Sequence, residues 1–217
     1  MQLFLDGSDI DKIRKYCGLG LIDGVTTNPS IILKSGKNMI EVISELAGIV
    51  SGSVSAEVSA LDSDTMVQEG IKLAEIAENV TVKLPITWDG LKACKTLSNE
   101  GISVNMTLCF SSSQALLAAK AGAEYVSPFI GRLDDLNLEG IDLISDIKLI
   151  YSNYKFSTKI LAASIRTINH VKQCARLGAD VATIPLDIFE KLVKHPLTDS
   201  GLSQFTADWE KTGQSII

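Results

Sequence analysis

Histidine is scarce. Only His170 and His195 occur in 217 residues, and no carboxylate cluster accompanies either. The usual metal donor sets are therefore missing and no metal is expected. The four cysteines, Cys17, Cys94, Cys109 and Cys174, lie far apart without CxxC spacing. They are expected to be reduced thiols, as in a cytoplasmic protein. No apolar run approaches the length needed to span a bilayer. The start, Met1-Gln2-Leu3-Phe4-Leu5-Asp6, reaches an acid at once with no cationic segment, so no signal peptide is expected. Long basic clusters are also missing, and the net charge is −6. Neither nucleic acid nor a membrane surface is an expected partner, although a local cationic pocket for phosphate stays open. No Pro- or Ser-rich linker and no low-complexity tract divides the chain.

What is present is a hydrophobic share of 46%, ample for a core. A length of roughly 200 to 250 residues suits one α/β barrel domain, so residues 1–217 are read as a single domain. Eight short runs read as strands: Gln2 to Asp6, Gly24 to Asn28, Val54 to Val58, Val80 to Pro85, Ser103 to Leu108, Tyr125 to Phe129, Lys159 to Ser164 and Val181 to Pro185. Amphipathic stretches lie between them. Met66, Leu73, Ala74 and Ala77 mark one apolar face, and Leu91, Ala93, Cys94 and Leu97 another, stopped by Gly101. Ala115 to Ala121 stops at Gly122, and Val171 to Leu177 at Gly178. A helix, a glycine stop and a buried strand make the repeating unit of a parallel sheet. Eight units in an undivided chain predict an α/β fold, a closed (β/α)8 TIM barrel. The alternative is an open doubly wound sheet, which usually needs a Gly-rich loop after its first strand; Asp6-Gly7-Ser8-Asp9 is not one.

Lys83 is the most informative residue. It interrupts Val80-Thr81-Val82-Lys83-Leu84-Pro85, where burial disfavours a charged amine and so frees it to attack a carbonyl. The ordinary alternative is a lysine at a strand mouth with its ammonium in water. The other strands argue against that alternative. Each carries polar side chains of one parity near its C-terminal end: Asp6; Thr26 and Asn28; Ser55 and Glu57; Thr81 and Lys83; Asn105 and Thr107, with Met106 and Leu108 opposite; Ser127, followed by Phe129; and Ser164. One such residue is usually a cap or a satisfied core group. Seven strands together converge at the barrel's C-terminal rim, where barrel enzymes keep their sites, and desolvating them without function would only cost stability. Ser164-Ile165-Arg166-Thr167 follows strand seven and opens a helix, a favoured place for phosphate. Arg132, in the sixth loop, could close on the same anion; its alternative is a salt bridge to Asp134 or Asp135.

Together these residues resemble the transaldolase family, in its small bacterial branch with fructose 6-phosphate aldolases as close relatives. The likeness rests on Asp23-Gly24-Val25-Thr26-Thr27-Asn28-Pro29-Ser30, Val82-Lys83-Leu84-Pro85, Asn105-Met106-Thr107-Leu108, Ser127 to Asp135, Ala162 to Arg166, Gly178 to Pro185 and Lys194 to Asp199, and runs from Leu3 to about Trp209. It implies that Lys83 forms a Schiff base, that Glu57 and Thr107 hold a proton-moving water, and that Asp6 exchanges a proton with the hydroxyl at the bond being cut. It implies that Asn28, Asn105 and Ser127 bind sugar hydroxyls and that Arg132, Ser164 and Arg166 hold the phosphate. An iminium delocalises the carbanion left by a retro-aldol cut, so no cofactor is expected. Glu57 agrees with transaldolases, where the aldolases carry Gln. Phe129, also assigned to the substrate site, stands where those aldolases carry a Tyr able to protonate the departing intermediate. Phe cannot donate, so the intermediate should wait for an acceptor.

Gly7, Thr167, Cys109 and Ser112 depart from the commoner residues of the branch without touching a named role. The expected activity is transfer of a dihydroxyacetone unit between sugar phosphates. The rivals are an aldolase-like cleavage and a non-catalytic sugar-phosphate binder. Leu202, Phe205 and Trp209 at helical spacing predict a C-terminal helix over about 198–215, docked on its own barrel or, as the resemblance implies, reaching a neighbour in a homo-oligomeric pentamer or decamer.

Overall fold

In a computed structural model describing residues 1–217, eight parallel strands close into a ring, each hydrogen-bonded to the next and the last to the first. The first half runs β1 (Gln2–Asp6), α1 (Ile10–Gly18), β2 (Gly24–Thr26), α2 (Pro29–Ser35), α3 (Met39–Ile49), β3 (Val54–Glu57), α4 (Ser63–Ala74), β4 (Val80–Pro85) and α5 (Trp88–Asn99). The second runs β5 (Val104–Cys109), α6 (Ser112–Ala121), β6 (Tyr125–Pro128), α7 (Ile130–Asp134), α8 (Gly140–Tyr154), β7 (Lys159–Ala162), α9 (Ile168–Leu177), β8 (Val181–Pro185), α10 (Leu186–Phe189) and α11 (Pro196–Thr212). The expected (β/α)8 barrel is the observed fold, and no helix is long and apolar enough to cross a membrane.

The helix stops act as the sequence implies. Gly122 and Gly178 cap α6 and α9 at φ 93° and 78°, a left-handed conformation that costs glycine no Cβ clash. Ser111 and Thr167 open the same helices by accepting the amides of Gln114 and His170.

Strand alternation divides the apolar residues. Val80, Val82 and Leu84 of β4, with Val104 and Met106 of β5, join the large core between strands and helices. The opposite parity faces the barrel interior, whose N-terminal end is filled by Phe4, Tyr125, Leu161 and Val181. Phe4 lies against Gly24, where a Cβ would stand 2.5 Å from its ring. Beside this plug, hydroxyls satisfy one another: Ser53 meets Thr81 at 2.7 Å, and Thr81 meets Ser103 at 3.2 Å.

Six strand ends differ from the sequence reading, five of them on the C-terminal side; β3 stops one residue early, at Glu57, and β5 starts one residue late, at Val104. β2 ends at Thr26, because Asn28 turns to cap α2 and Pro29 has no N–H for a ladder. β5 runs one residue further, to Cys109. A bulge with Leu108 at φ 59° breaks the alternation there and turns Cys109 into the core. β7 stops at Ala162 because Ser164 takes φ 57°. β6 likewise stops at Pro128, and Phe129 keeps only an isolated bridge to Ala163. The terminal helix α11 spans Pro196–Thr212 and buries no residue, so it does not dock on its own barrel as one reading had it.

Candidate active site at the C-terminal rim

Lys83 and Glu57 are paired in register on adjacent strands, which fixes both side chains on the interior face near the mouth. The Lys83 Nζ lies 3.1 Å from Glu57 Oε2 and donates to the Thr27 carbonyl, also at 3.1 Å. The Lys83 side chain is 7% exposed and that of Glu57 14%. The amine is therefore buried as expected, but its surroundings are more polar than the Val-Thr-Val-Lys-Leu run suggests. Its carboxylate partner comes from β3 and its carbonyl partner from the end of β2.

Asp6 closes the opposite wall. Thr26 Oγ1 donates to Asp6 Oδ1 at 2.7 Å and meets Thr183 Oγ1 at 2.6 Å. With the carboxylate ionised, Thr183 must donate to Thr26, which donates to Asp6, so three strands fix one acid. Burial pushes the Asp6 carboxyl above its ordinary range, while the Thr26 hydrogen bond and the Lys83 charge pull it back in part. On the far side Ser127 Oγ donates to Asn105 Oδ1 at 2.8 Å, and Asn105 Nδ2 donates to Ser55 Oγ at 3.3 Å. Asn105 is thereby held without freedom to rotate.

Thr107 stands apart. It is fully buried, and its Oγ1 is the one buried side-chain polar atom with no hydrogen-bond partner. Leaving a buried hydroxyl unpaired costs about 1–3 kcal/mol, an expense that an inert core position would avoid by carrying valine.

A cavity of about 130 Å³ gathers Asp6, Asn28, Lys83, Ser127, Phe129, Arg132, Ser164 and Thr183. Asn28 Oδ1 accepts the Ile31 amide, so the α2 cap orients its side chain. Phe129 packs edge-on against Phe110 at 5.5 Å, and the Arg132 guanidinium sits 4.9 Å from the Phe129 ring centre. Arg132 makes no salt bridge to Asp134 or Asp135: Asp134 is engaged by His170, and Asp135 by Arg166. Of the expected site residues, Glu57 touches Lys83 and Asn105 touches Ser127, whereas Arg166 faces Asp135 and does not line this cavity. A larger cavity, about 460 Å³, opens behind Asn28 and reaches Glu57, but Ile32, Leu33 and Met39 line it and the amine is absent. The smaller space holds Lys83 and Asp6, whereas Glu57 lines the larger one and Asn105 and Thr107 line neither.

A shielded amine beside a carboxylate, facing an acid with a strengthened hold on its proton, is a constellation for imine chemistry on a carbonyl compound. The family model described as transaldolase/fructose-6-phosphate aldolase matches residues 3–216. The chain belongs to this family. It is 65% identical over 217 residues to a "Probable transaldolase" of Roseobacter denitrificans, with both chains covered in full. Proteins of the same description from Dinoroseobacter shibae and Parvibaculum lavamentivorans are each 61% identical, again over the whole of both chains. A solved thiamine phosphate pyrophosphorylase from Pyrococcus furiosus superposes with a TM-score of 0.58 at 13% identity, covering 85% of each chain. At that identity the likeness speaks for the barrel alone.

Within this member of the family, three features escaped the sequence reading. Thr183 joins the cavity through the Thr26–Asp6 chain, and its signal was available: it shares the interior parity of β8. The Thr27 carbonyl that receives Lys83 carried no side-chain signal. Asp135 is the partner of Arg166, whereas the sequence sets it only against Arg132.

Proposed function

We propose that this chain is a transaldolase that moves a dihydroxyacetone unit from a ketose phosphate to an aldose phosphate through an imine on Lys83. The observation that carries the reading is the buried Lys83, paired with Glu57 behind it and opening on the same cavity as Asp6. Glu57 takes a proton from Lys83, and the freed Nζ adds to the ketose C2. Loss of the carbinolamine hydroxyl as water, with proton transfer through Glu57 and the Thr107 hydroxyl, leaves the iminium. Asp6 then accepts the proton of the C4 hydroxyl as the C3–C4 bond breaks. The bonding electrons pass into the iminium, giving an enamine, and the shorter aldose departs. The acceptor aldehyde is attacked by the enamine carbon, Asp6 returns its proton to the new alkoxide, and water releases the product. An Asp raised by burial suits both directions of transfer, because a base whose pKa lies nearer the working pH also gives its proton back readily.

Asn28, Asn105 and Ser127 are the partners for the sugar hydroxyls, and Arg132, Ser164 and Arg166 for the phosphate. Phe129 offers the enamine no proton. The intermediate therefore persists until an acceptor arrives, which favours transfer over cleavage. The exposed apolar side chains of α11, Phe205 at 74% and Leu202 at 66% among them, support assembly of several copies, with α11 covering a neighbouring barrel.

Borohydride treatment in the presence of fructose 6-phosphate tests the imine. A mass increase that disappears in Lys83→Ala is expected, and an unlabelled intact protein would leave a binding function instead. A coupled assay with fructose 6-phosphate, with and without erythrose 4-phosphate, tests transfer. Rapid dihydroxyacetone release without acceptor would favour the aldolase reading.

A further inference from the structure

We infer that Asp135 is a positioning residue that holds Arg166 off the cavity and competes with a phosphate monoester for its guanidinium, an inference that rests on the proposed phosphate end of the site. Both terminal nitrogens of Arg166 are engaged: Nη1 binds Asp135 Oδ1, and Nη2 donates to Oδ2 at 2.6 Å. This two-pronged arrangement is the one Arg uses on phosphate. The same N–H edge cannot serve carboxylate and phosphate together. Arg132, which lines the cavity against Phe129, forms no salt bridge, and its charge acts on Asp135 only as a weaker influence than that of Arg166. The site thus holds one free cation and one engaged cation.

The surrounding contacts explain why Asp135 chooses Arg166, 31 positions away, over Arg132 in its own loop. His170 Nδ1 accepts the Arg166 amide at 3.3 Å, which leaves Nε2 to meet Asp134 Oδ2 at 3.2 Å. Asp134 Oδ1 accepts the Gly140 amide at 3.0 Å. Together these turn the end of α7 toward the start of α9. Gly131 completes the docking: its N–H donates to the Ser164 carbonyl at 3.0 Å, and a Cβ there would stand 2.5 Å from that oxygen and 2.7 Å from Arg166 Nε. The guanidinium beside Asp135 holds its carboxyl below the usual carboxylate range, and the carboxylate raises Arg166 in turn. A phosphate that reaches the cavity is met first by Arg132 and Ser164, and recruits Arg166 only by displacing Asp135 into solvent.

Both partners are about half exposed, so the competition is modest: about twofold to fivefold in affinity, the range of a well-formed surface pair. Inorganic phosphate, titrated calorimetrically into the intact protein, provides the test. Asp135→Asn, with Asp135→Ser as a second variant should the first fold poorly, is expected to lower the phosphate Kd by about twofold to fivefold. Arg166→Ala is expected to raise it, and the gain from Asp135→Asn should vanish in the Arg166→Ala background. In the transfer assay the KM for erythrose 4-phosphate should fall more than kcat changes, with preference rising for erythrose 4-phosphate over erythrose. Unchanged or weaker phosphate binding in the Asp135 variants, or no measurable phosphate binding at all, overturns the inference. So does an equal gain without Arg166, which would reduce Asp135 to a nearby repelling charge. A wild-type protein without transfer activity would remove the proposed function, while the phosphate titrations would still decide for or against Asp135.

Discussion

The two ends of the barrel interior are built on the same strand faces, two residues apart, and have opposite chemistry. On β1, Phe4 faces the N-terminal end and Asp6 the rim; on β6, Tyr125 and Ser127; on β8, Val181 and Thr183. At the lower end Phe4 and Tyr125 pack tilted against each other at a ring separation of 6.1 Å, and the plug includes two further buried apolar side chains. At the upper end the polar groups of β1, β3, β4, β5, β6 and β8 are each held by a group from another strand. One step along a pleated strand, about 6.6 Å for two residues, separates side chains that hold the ring closed from side chains that cost stability to bury. Substitutions at the rim should therefore remove turnover and leave the fold, and substitutions in the plug should do the reverse.

The largest effect belongs to Lys83→Ala. Loss of the only nitrogen that can form the imine should lower transfer by about 10⁴-fold or more, measured as kcat with fructose 6-phosphate and erythrose 4-phosphate, while circular dichroism retains the α/β signature. Next is Asp6→Asn, expected to lower kcat by about 10²- to 10⁴-fold, as for loss of a general acid–base group. Its stability effect has a definite sign. The folded-state pKa of Asp6 is raised, so the folded protein binds this proton more tightly than the unfolded chain. That contribution is present below the unfolded pKa and is lost as pH rises through the folded one. At neutral pH the ionised Asp6 is therefore a burden, and Asp6→Asn should melt higher than the parent. The gain should shrink as the pH falls toward the ordinary aspartate range. A variant that melts lower at neutral pH would mean that the Thr26 and Lys83 interactions outweigh the desolvation.

Phe4→Ala reverses the pattern. It removes a ring that is 1% exposed and should cost about 3–5 kcal/mol in a urea titration. Turnover per folded molecule should change little, since Phe4 lies below the reacting groups. A kcat loss as large as that of Asp6→Asn, in protein shown to be folded, would erase the distinction between the two ends.

The division was partly legible in the sequence. The barrel followed from eight β-rich runs and the glycine stops at Gly122 and Gly178. The rim followed from polar residues sharing one parity across seven strands. Where the reading slipped, the cause was a partner remote in sequence or a local backbone turn. Thr183 looks like an ordinary strand residue, since Thr is a good β former, and the hydroxyl that gives it meaning is 157 positions away. Leu108 and Ser164 fall within strand-like runs, but each takes a positive φ that a branched or hydroxyl side chain does not announce. The Arg166–Asp135 pair depends on two loops meeting through Gly131. Sequence spacing carries no trace of that encounter.

Thr107 offers the finest cut through the comparison, because its hydroxyl belongs to the rim in chemistry and to the core in burial. Replacing it with valine keeps the shape and removes an oxygen that pairs with nothing in the protein. If the residue were part of the packing alone, Thr107→Val should gain about 1 kcal/mol and leave turnover intact. If the hydroxyl relays protons between Glu57 and the carbinolamine, the same stability gain should come with a loss of about 10- to 100-fold in kcat, smaller than for Lys83 or Asp6 because the carboxylate remains. The loss should fall on imine formation, so borohydride trapping at early times should slow in parallel with turnover. Trapping at the parent rate would separate Thr107 from the proton path and return its unpaired hydroxyl to the core.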